Sequence, residues 1–141
     1  MKNLLTAIYN KTSGSSLSSD VGGRVYLDRA VTGAEFPFVV YFIVSGIPEK
    51  TFTEDYEETI IQFSLFSASQ GATEITTMYG HLKDLFDECA LTIPPTGAAT
   101  ETLIWMRREN LTTMIEDVTI NNAAVSIRHW AVDYEVLTSK I

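Results

Sequence analysis

Cysteine and histidine, the residues that most often ligate metals or act as nucleophile and base, are nearly missing: one Cys and two His in 141 residues. A lone thiol, Cys89, forms no internal disulfide and no cysteine-based zinc cluster, and it suits a reducing compartment. His81 and His129 have neither the H-x-x-x-H nor the H-x-H spacing of a metal site and read as surface or boundary histidines. Cations are also scarce, with ten Lys and Arg against eighteen Asp and Glu and a net charge of −8. Binding to nucleic acid is driven largely by clustered cations that displace counterions from phosphates. The only adjacent basic pair is Arg107-Arg108, so the composition argues against specific DNA or RNA binding and against an anionic membrane surface. The longest apolar run, residues 36–44, is far below the ~20 residues that span a bilayer. Residues 1–5 lack the apolar core of a signal peptide. No G-x-S-x-G elbow, phosphate loop or dinucleotide fingerprint occurs. Gly22-Gly23 has no third glycine, following helix or lysine, and reads as a turn.

What is present is a chain of one-domain size, 45% hydrophobic, long enough to bury its own core. A single domain over residues 1–141 is expected. Leu4, Leu5, Ile8 and Tyr9 share one helical face, predicting a helix over residues 1–11. The Ser/Gly-rich residues 12–19 read as a loop, and residues 24–27 as a short strand. Pro37 leads into residues 38–44, rich in β-branched and aromatic side chains and typical of a buried strand. Ser45-Gly46-Ile47-Pro48 is expected to break it. Strand character resumes at residues 59–67, where Ile61, Phe63 and Leu65 alternate with Ile60, Gln62, Ser64 and Phe66. The two strands predict a long hairpin whose arms reach beyond the body.

Residues 72–89 carry the strongest helical signal. Ile75, Met78, Tyr79, Leu82, Leu85, Phe86 and Cys89 form one apolar stripe suited to lying across a sheet. Cys89 closes that stripe at a helix C-terminus beside Asp87 and Glu88, where a thiolate is disfavoured, so a structural cysteine is expected. Residues 103–111 and 127–137 read as strands. The first is expected to place Leu103, Trp105, Arg107, Glu109 and Leu111 on one side. The second places Trp130, Val132, Tyr134 and Val136 opposite Asp133 and Glu135. Together these elements predict an α+β fold, a mostly antiparallel β-sheet with a long hairpin and two main helices packed on one face.

Two features point to assembly. Glu54, Asp55, Glu57 and Glu58 contrast sharply in charge with Arg107 and Arg108. On neighbouring copies these groups can meet and fix orientation. The alternatives are cross-strand pairing within one subunit or simple solvation, since exposed pairs contribute only ~0–1 kcal/mol. In addition, residues 12–20, 47–53 and 94–102 look irregular, and long loops without catalytic residues serve as partner-binding segments or as plain connectors.

The order of these segments resembles a known family. Leu4-Leu5-Thr6-Ala7-Ile8-Tyr9, Val21-Gly22-Gly23-Arg24-Val25-Tyr26 and Phe36-Pro37-Phe38-Val39-Val40-Tyr41 are similar to the opening of phage and prophage tail-completion proteins. The acidic start and Ile-Gln-Phe-Ser strand of residues 56–66 are similar too. So are Tyr79-Gly80-His81-Leu82-Lys83-Asp84-Leu85-Phe86-Asp87 and the closing His129-Trp130-Ala131-Val132-Asp133-Tyr134. The likeness covers nearly the whole chain except residues 94–122. It implies a non-enzymatic tail terminator without cofactor or metal. Such a protein forms a homo-hexameric ring on the major tail tube protein, stops tube growth and presents a surface to the head-tail connector protein. DNA would pass through the lumen without specific binding, and no membrane is involved. The implied location is the head-proximal end of the virion tail, with assembly in the host cytoplasm. A head-completion or connector protein is the near alternative, and a small cellular enzyme or regulator the alternative of another class.

Overall fold

The computed structural model describes residues 2–50, 55–94 and 101–140. Helices α1 (Lys2–Thr12) and α2 (Ser16–Asp20) precede strands β1 (Val25–Leu27), β2 (Phe38–Lys50) and β3 (Asp55–Ser67). Helix α3 (Thr73–Phe86) follows, and then strands β4 (Glu101–Ile120) and β5 (Ala123–Lys140). The strands make one five-stranded sheet in the order β1-β2-β3-β5-β4. Every pairing is antiparallel except that of β1 with β2. The chain is thus α+β, as its patterning predicts.

Side chains alternate across a strand, so one face of the sheet can be wholly apolar. Val39, Tyr41, Ile61, Phe63, Leu65, Val132, Tyr134 and Val136 fill that face, and each is buried. Leu4, Ala7 and Ile8 of α1, Leu17 of α2, and Ile75, Met78, Leu82 and Phe86 of α3 close over it. Phe63 sits at the centre. Its ring centroid lies 4.8 Å from that of Phe86 and 5.6 Å from that of Tyr134, the latter edge-on. Such aromatic pairs stabilise beyond their burial by about 0.5–1.5 kcal/mol each.

Where the structure departs from the sequence expectations, local chemistry explains it. Residues 12–19 are not all loop. Ser15 accepts a hydrogen bond from the Ser18 amide at 3.2 Å and caps α2, while fully buried Leu17 anchors it. A serine-rich run therefore serves as a helix start. Nor does β2 break at Ser45. The register shifts between Ile43 and Ser45, so Val44 is an extra, bulged residue and the strand continues to Lys50. Pro48 is tolerated because β1 covers only residues 39–41, leaving this part of β2 at the sheet edge.

Helix α3 ends at Phe86, short of Cys89. Glu88 takes a positive φ of 49° and its amide donates to the Met106 carbonyl at 2.9 Å, turning the chain toward β4. Strand β4 runs for 20 residues, and two register shifts cross it, between Leu103 and Trp105 and between Arg108 and Asn110. Each extra residue reverses which side faces the helices. Fully buried Met106 joins Leu103 and Leu111 on the core side, and Trp105 and Arg107 turn away. At the far end Asn121 and Asn122, with φ of 51° and 62°, make the tight turn into β5. This two-residue form suits asparagine and follows the twist of the strands.

The expected reach beyond the body belongs to this second hairpin. The β3–β5 ladder stops at Ser67↔Arg128, whereas β4 and β5 stay paired to Ile120↔Ala123. The β2–β3 hairpin is instead flanked by β5 along the whole of β3.

Candidate assembly surface

A sheet with β1 and β4 at its ends has two open sides, and these differ in build. On one, β1 pairs with β2 over three residues only. Gly22 and Gly23, with φ of 59° and 78°, deliver the chain into β1. A Cβ on Gly22 would sit 2.9 Å from an Arg24 guanidinium nitrogen. That guanidinium in turn donates to the Pro37 carbonyl at 3.0 Å, tying the entry of β1 to the entry of β2. Beside β1 lies an apolar groove of about 460 Å³, lined by Lys2, Leu5, Thr6, Tyr9, Val25, Leu27 and Tyr41. On the opposite side, no strand among the described residues pairs with the outer flank of β4.

The exposed apolar surface is concentrated at these two sides. Of eight large hydrophobic side chains that stand exposed among the described residues, four are on the edge strands β1 and β4 and two on the part of β2 that β1 leaves uncovered. They are Leu27, Val44 and Ile47 on one side and Ile104, Met114 and Ile115 on the other. Ile115 is the most exposed, at 63%. Natural sheets commonly blunt open edges with charges or proline to prevent pairing with other chains. Here Pro48 acts in that way on β2, while β4 carries Arg107, Arg108, Glu109, Glu116 and Asp117 together with two bulges, and its stretch from Leu111 to Ile115 has neither charge nor bulge.

The charged residues singled out in the sequence are divided by the fold. Glu54 lies outside the described residues. Asp55, Glu57 and Glu58 stand on β3, with Glu58 opposite in facing to its two neighbours. Arg107 and Arg108 stand on β4 and likewise point to opposite faces. Strand β5 separates β3 from β4, so the two groups are not cross-strand partners within one subunit. Arg107 approaches Glu135 of β5 at 4.0 Å and stacks on the Trp105 ring at 4.1 Å. Arg108 pairs with Asp87 at 3.3 Å and donates to the Tyr79 hydroxyl.

That second arrangement extends into a network that the sequence alone does not reveal. The buried Tyr134 hydroxyl donates to Asp87 at 2.6 Å, locking the end of α3 to β4 and β5. Burial, reinforced by this bond to a carboxylate, raises the Tyr134 pKa far above the ordinary 10.0. Burial also pushes up the thiol of half-buried Cys89, whose sulfur lies 3.7 Å from that of Met106. A reactive cysteine needs the opposite shift. His81 meets Asp20 and joins α3 to α2, while His129 stacks on Phe66 at 4.2 Å with its Nδ1 3.5 Å from Glu116. Among the described residues no group of three or more His, Cys, Asp or Glu could hold a metal ion. No helix among them is long and apolar enough to cross a membrane. Exposed apolar side chains gathered at open sheet sides are a feature of surfaces that other proteins cover.

Comparison with known proteins bears on which kind of contact. A chain of a solved structure described as the virion of a native gene transfer agent (GTA) particle shares the fold, with a TM-score of 0.68 at 13% sequence identity. The match covers 96% of this chain and 94% of that one. No curated protein sequence matches. The family model described as tail completion protein gp17 matches residues 6–139, from the first turns of α1 to the end of β5. The chain therefore belongs to the tail completion protein gp17 family and is a structural protein of phage tail assembly.

Proposed function

We infer that this protein is a tail terminator. Six copies close into a ring on the last turn of the tail tube, end its elongation and present the surface that meets the head. The observation that carries this reading is the family match across residues 6–139, which includes both open sheet sides as well as the core. Its partners are other copies of itself, the major tail tube protein and the head-tail connector protein. A heterologous ring needs two different patches on each subunit, and the β1 and β4 sides are two such patches. Acidic Asp55, Glu57 and Glu58 of one copy meet Arg107 and Arg108 of the next and fix the orientation of neighbours. Glu54 belongs to the same acidic run. With a net charge of −8, the lumen passes DNA without gripping it. The protein acts at the head-proximal end of the tail, after assembly in the host cytoplasm, without cofactor, metal or catalysis.

Deletion of the gene from the particle that encodes it, followed by negative-stain electron microscopy, tests this reading. Overlong or ragged tails detached from filled heads are expected. Tails of normal length beside defective heads would transfer the protein to the connector of the head. Intact, infectious particles would remove it from assembly altogether.

A further inference from the structure

We propose that neighbouring copies join sheet to sheet, the open side of β4 on one copy pairing antiparallel with β1 and the adjoining edge of β2 on the next. In this contact Ile115 enters the apolar groove between α1 and β1. The inference rests on the ring reading above and specifies its contact surface.

Strand direction is the first argument. Strand β2 is antiparallel to β3, β3 to β5 and β5 to β4, whereas β1 is parallel to β2. Strand β4 therefore runs opposite to β1. A rotation about an axis along the strands preserves their directions, so head-to-tail copies bring β4 beside β1 as an antiparallel pair. This is the arrangement in which ladder hydrogen bonds are best aligned. A symmetric two-fold pairing of one edge with itself would leave the other edge open and could not continue around a ring.

Level and facing are the second. Following the ladder across the sheet, Val25 lies level with Val39, Leu65, Trp130 and Thr113. Ile115, two residues further along β4, points to the helix face, the same face on which the groove opens. A stagger of two residues between neighbours, ordinary in closed sheets, sets Ile115 beside Val25 and Leu5. The groove of about 460 Å³ readily takes one such side chain.

Charge is the third. Residues 1–34 hold four basic and two acidic side chains, a net positive end on a protein of net charge −8. The β4–β5 hairpin holds six acidic and four basic ones. Asp117 shares the facing of Ile115 and lies two residues beyond it, while Lys2 lines the groove. Docking Ile115 thus brings Asp117 of one copy toward Lys2 of the next. In such an interface a buried apolar anchor supplies most of the binding energy, and charges at the rim set register.

The test uses the full chain with Cys89→Ala, which removes the native thiol, and in that background Leu27→Cys and Ile115→Cys, expressed in place of the wild type in the particle that encodes it. Within one copy these positions lie on opposite sheet edges, at least about 19 Å apart from four strand spacings alone, beyond a short bismaleimide. Treatment of purified particles with that reagent is expected to give a ladder of whole subunits ending at six, which neither single variant produces. A second readout is the native mass of the full chain extracted from particles. Lys2→Glu or Asp117→Lys alone should raise the concentration for half-ring formation about tenfold or more, and the two together should restore it. Wild-type rings of six with no ladder, and no response to either reversal, would overturn edge pairing while leaving the terminator intact. Absence of any ring in wild-type particles would overturn the terminator reading itself.

Discussion

The middle of the sheet, β3 and β5, and its two flanks are built by different rules. Strands β3 and β5 pair without interruption from Asp55↔Lys140 to Ser67↔Arg128. They place Ile61, Phe63, Leu65, Val132, Tyr134 and Val136 fully in the core. Every register shift in the sheet lies in a pairing of β2 or β4. These flanking strands, with β1, also carry six exposed apolar side chains, whereas β3 and β5 carry none of those eight. Regular alternation serves burial, because each side chain has one assigned face. Irregularity at the margin redirects side chains outward, where they stabilise nothing within a single subunit. The contrast separates residues that hold the fold from residues available to a neighbour.

The largest effect should come from the interior. Phe63→Ala removes the ring packed between Phe86 and Tyr134 and should cost about 3–5 kcal/mol in urea unfolding. A loss below about 1 kcal/mol would show that the centre of the sheet is not the centre of stability. Tyr134→Phe keeps the packing and removes only the hydrogen bond to Asp87, for a loss of about 1.5 kcal/mol. The same variant has a signature in pH. The folded-state pKa of Tyr134 lies above its ordinary 10.0, so its stabilisation is complete below pH 10 and is lost progressively as pH rises from there toward the folded-state value. Stability measured from pH 8 to 11 should therefore fall less steeply in the variant.

At the margin the order of effects reverses between stability and assembly. Ile115→Ser should shift the unfolding midpoint of the single chain by less than about 0.5 kcal/mol and yet abolish rings. A large destabilisation would place Ile115 among the core residues instead. The smallest effect concerns Glu109. A hydrogen bond to Glu135 and the charge of that carboxylate raise the Glu109 pKa. Stability should decline slightly as pH rises above the ordinary carboxylate range, and Glu109→Gln should remove that decline.

The same division explains how much was legible in the sequence. Alternation of Ile61, Phe63 and Leu65 against Gln62 and Phe66, and of Val132, Tyr134 and Val136 against Asp133 and Glu135, assigns the faces of β3 and β5 correctly. The α3 stripe gives Ile75, Met78, Leu82 and Phe86 as its buried residues, as found. Period-two reasoning fails on β4. It places Trp105 and Arg107 with Leu103, because an inserted residue has no mark in composition and reverses everything after it. The serine-rich entry to α2 misleads for a related reason. A capping serine and a loop serine are the same letter, and only the hydrogen bond to Ser18 separates them. The contrast between the acidic run and Arg107-Arg108 is visible in sequence. The strand of β5 lying between them is not, since it depends on strand order.

The bulges in β4 also bear on number. An extra residue on one strand of a pair bends that strand and increases the local twist, so Ile104 and Glu109 help to set the angle at which β4 presents itself to whatever lies beside it. In a closed ring the copy count is a full turn divided by the angle between neighbours. Deleting either residue leaves every other pairing of β4 with β5 in step and every core side chain facing inward. The subunit would fold as before but meet its neighbour at a flatter angle. On the ring reading, two residues that contribute little to the fold become the ones that count to six.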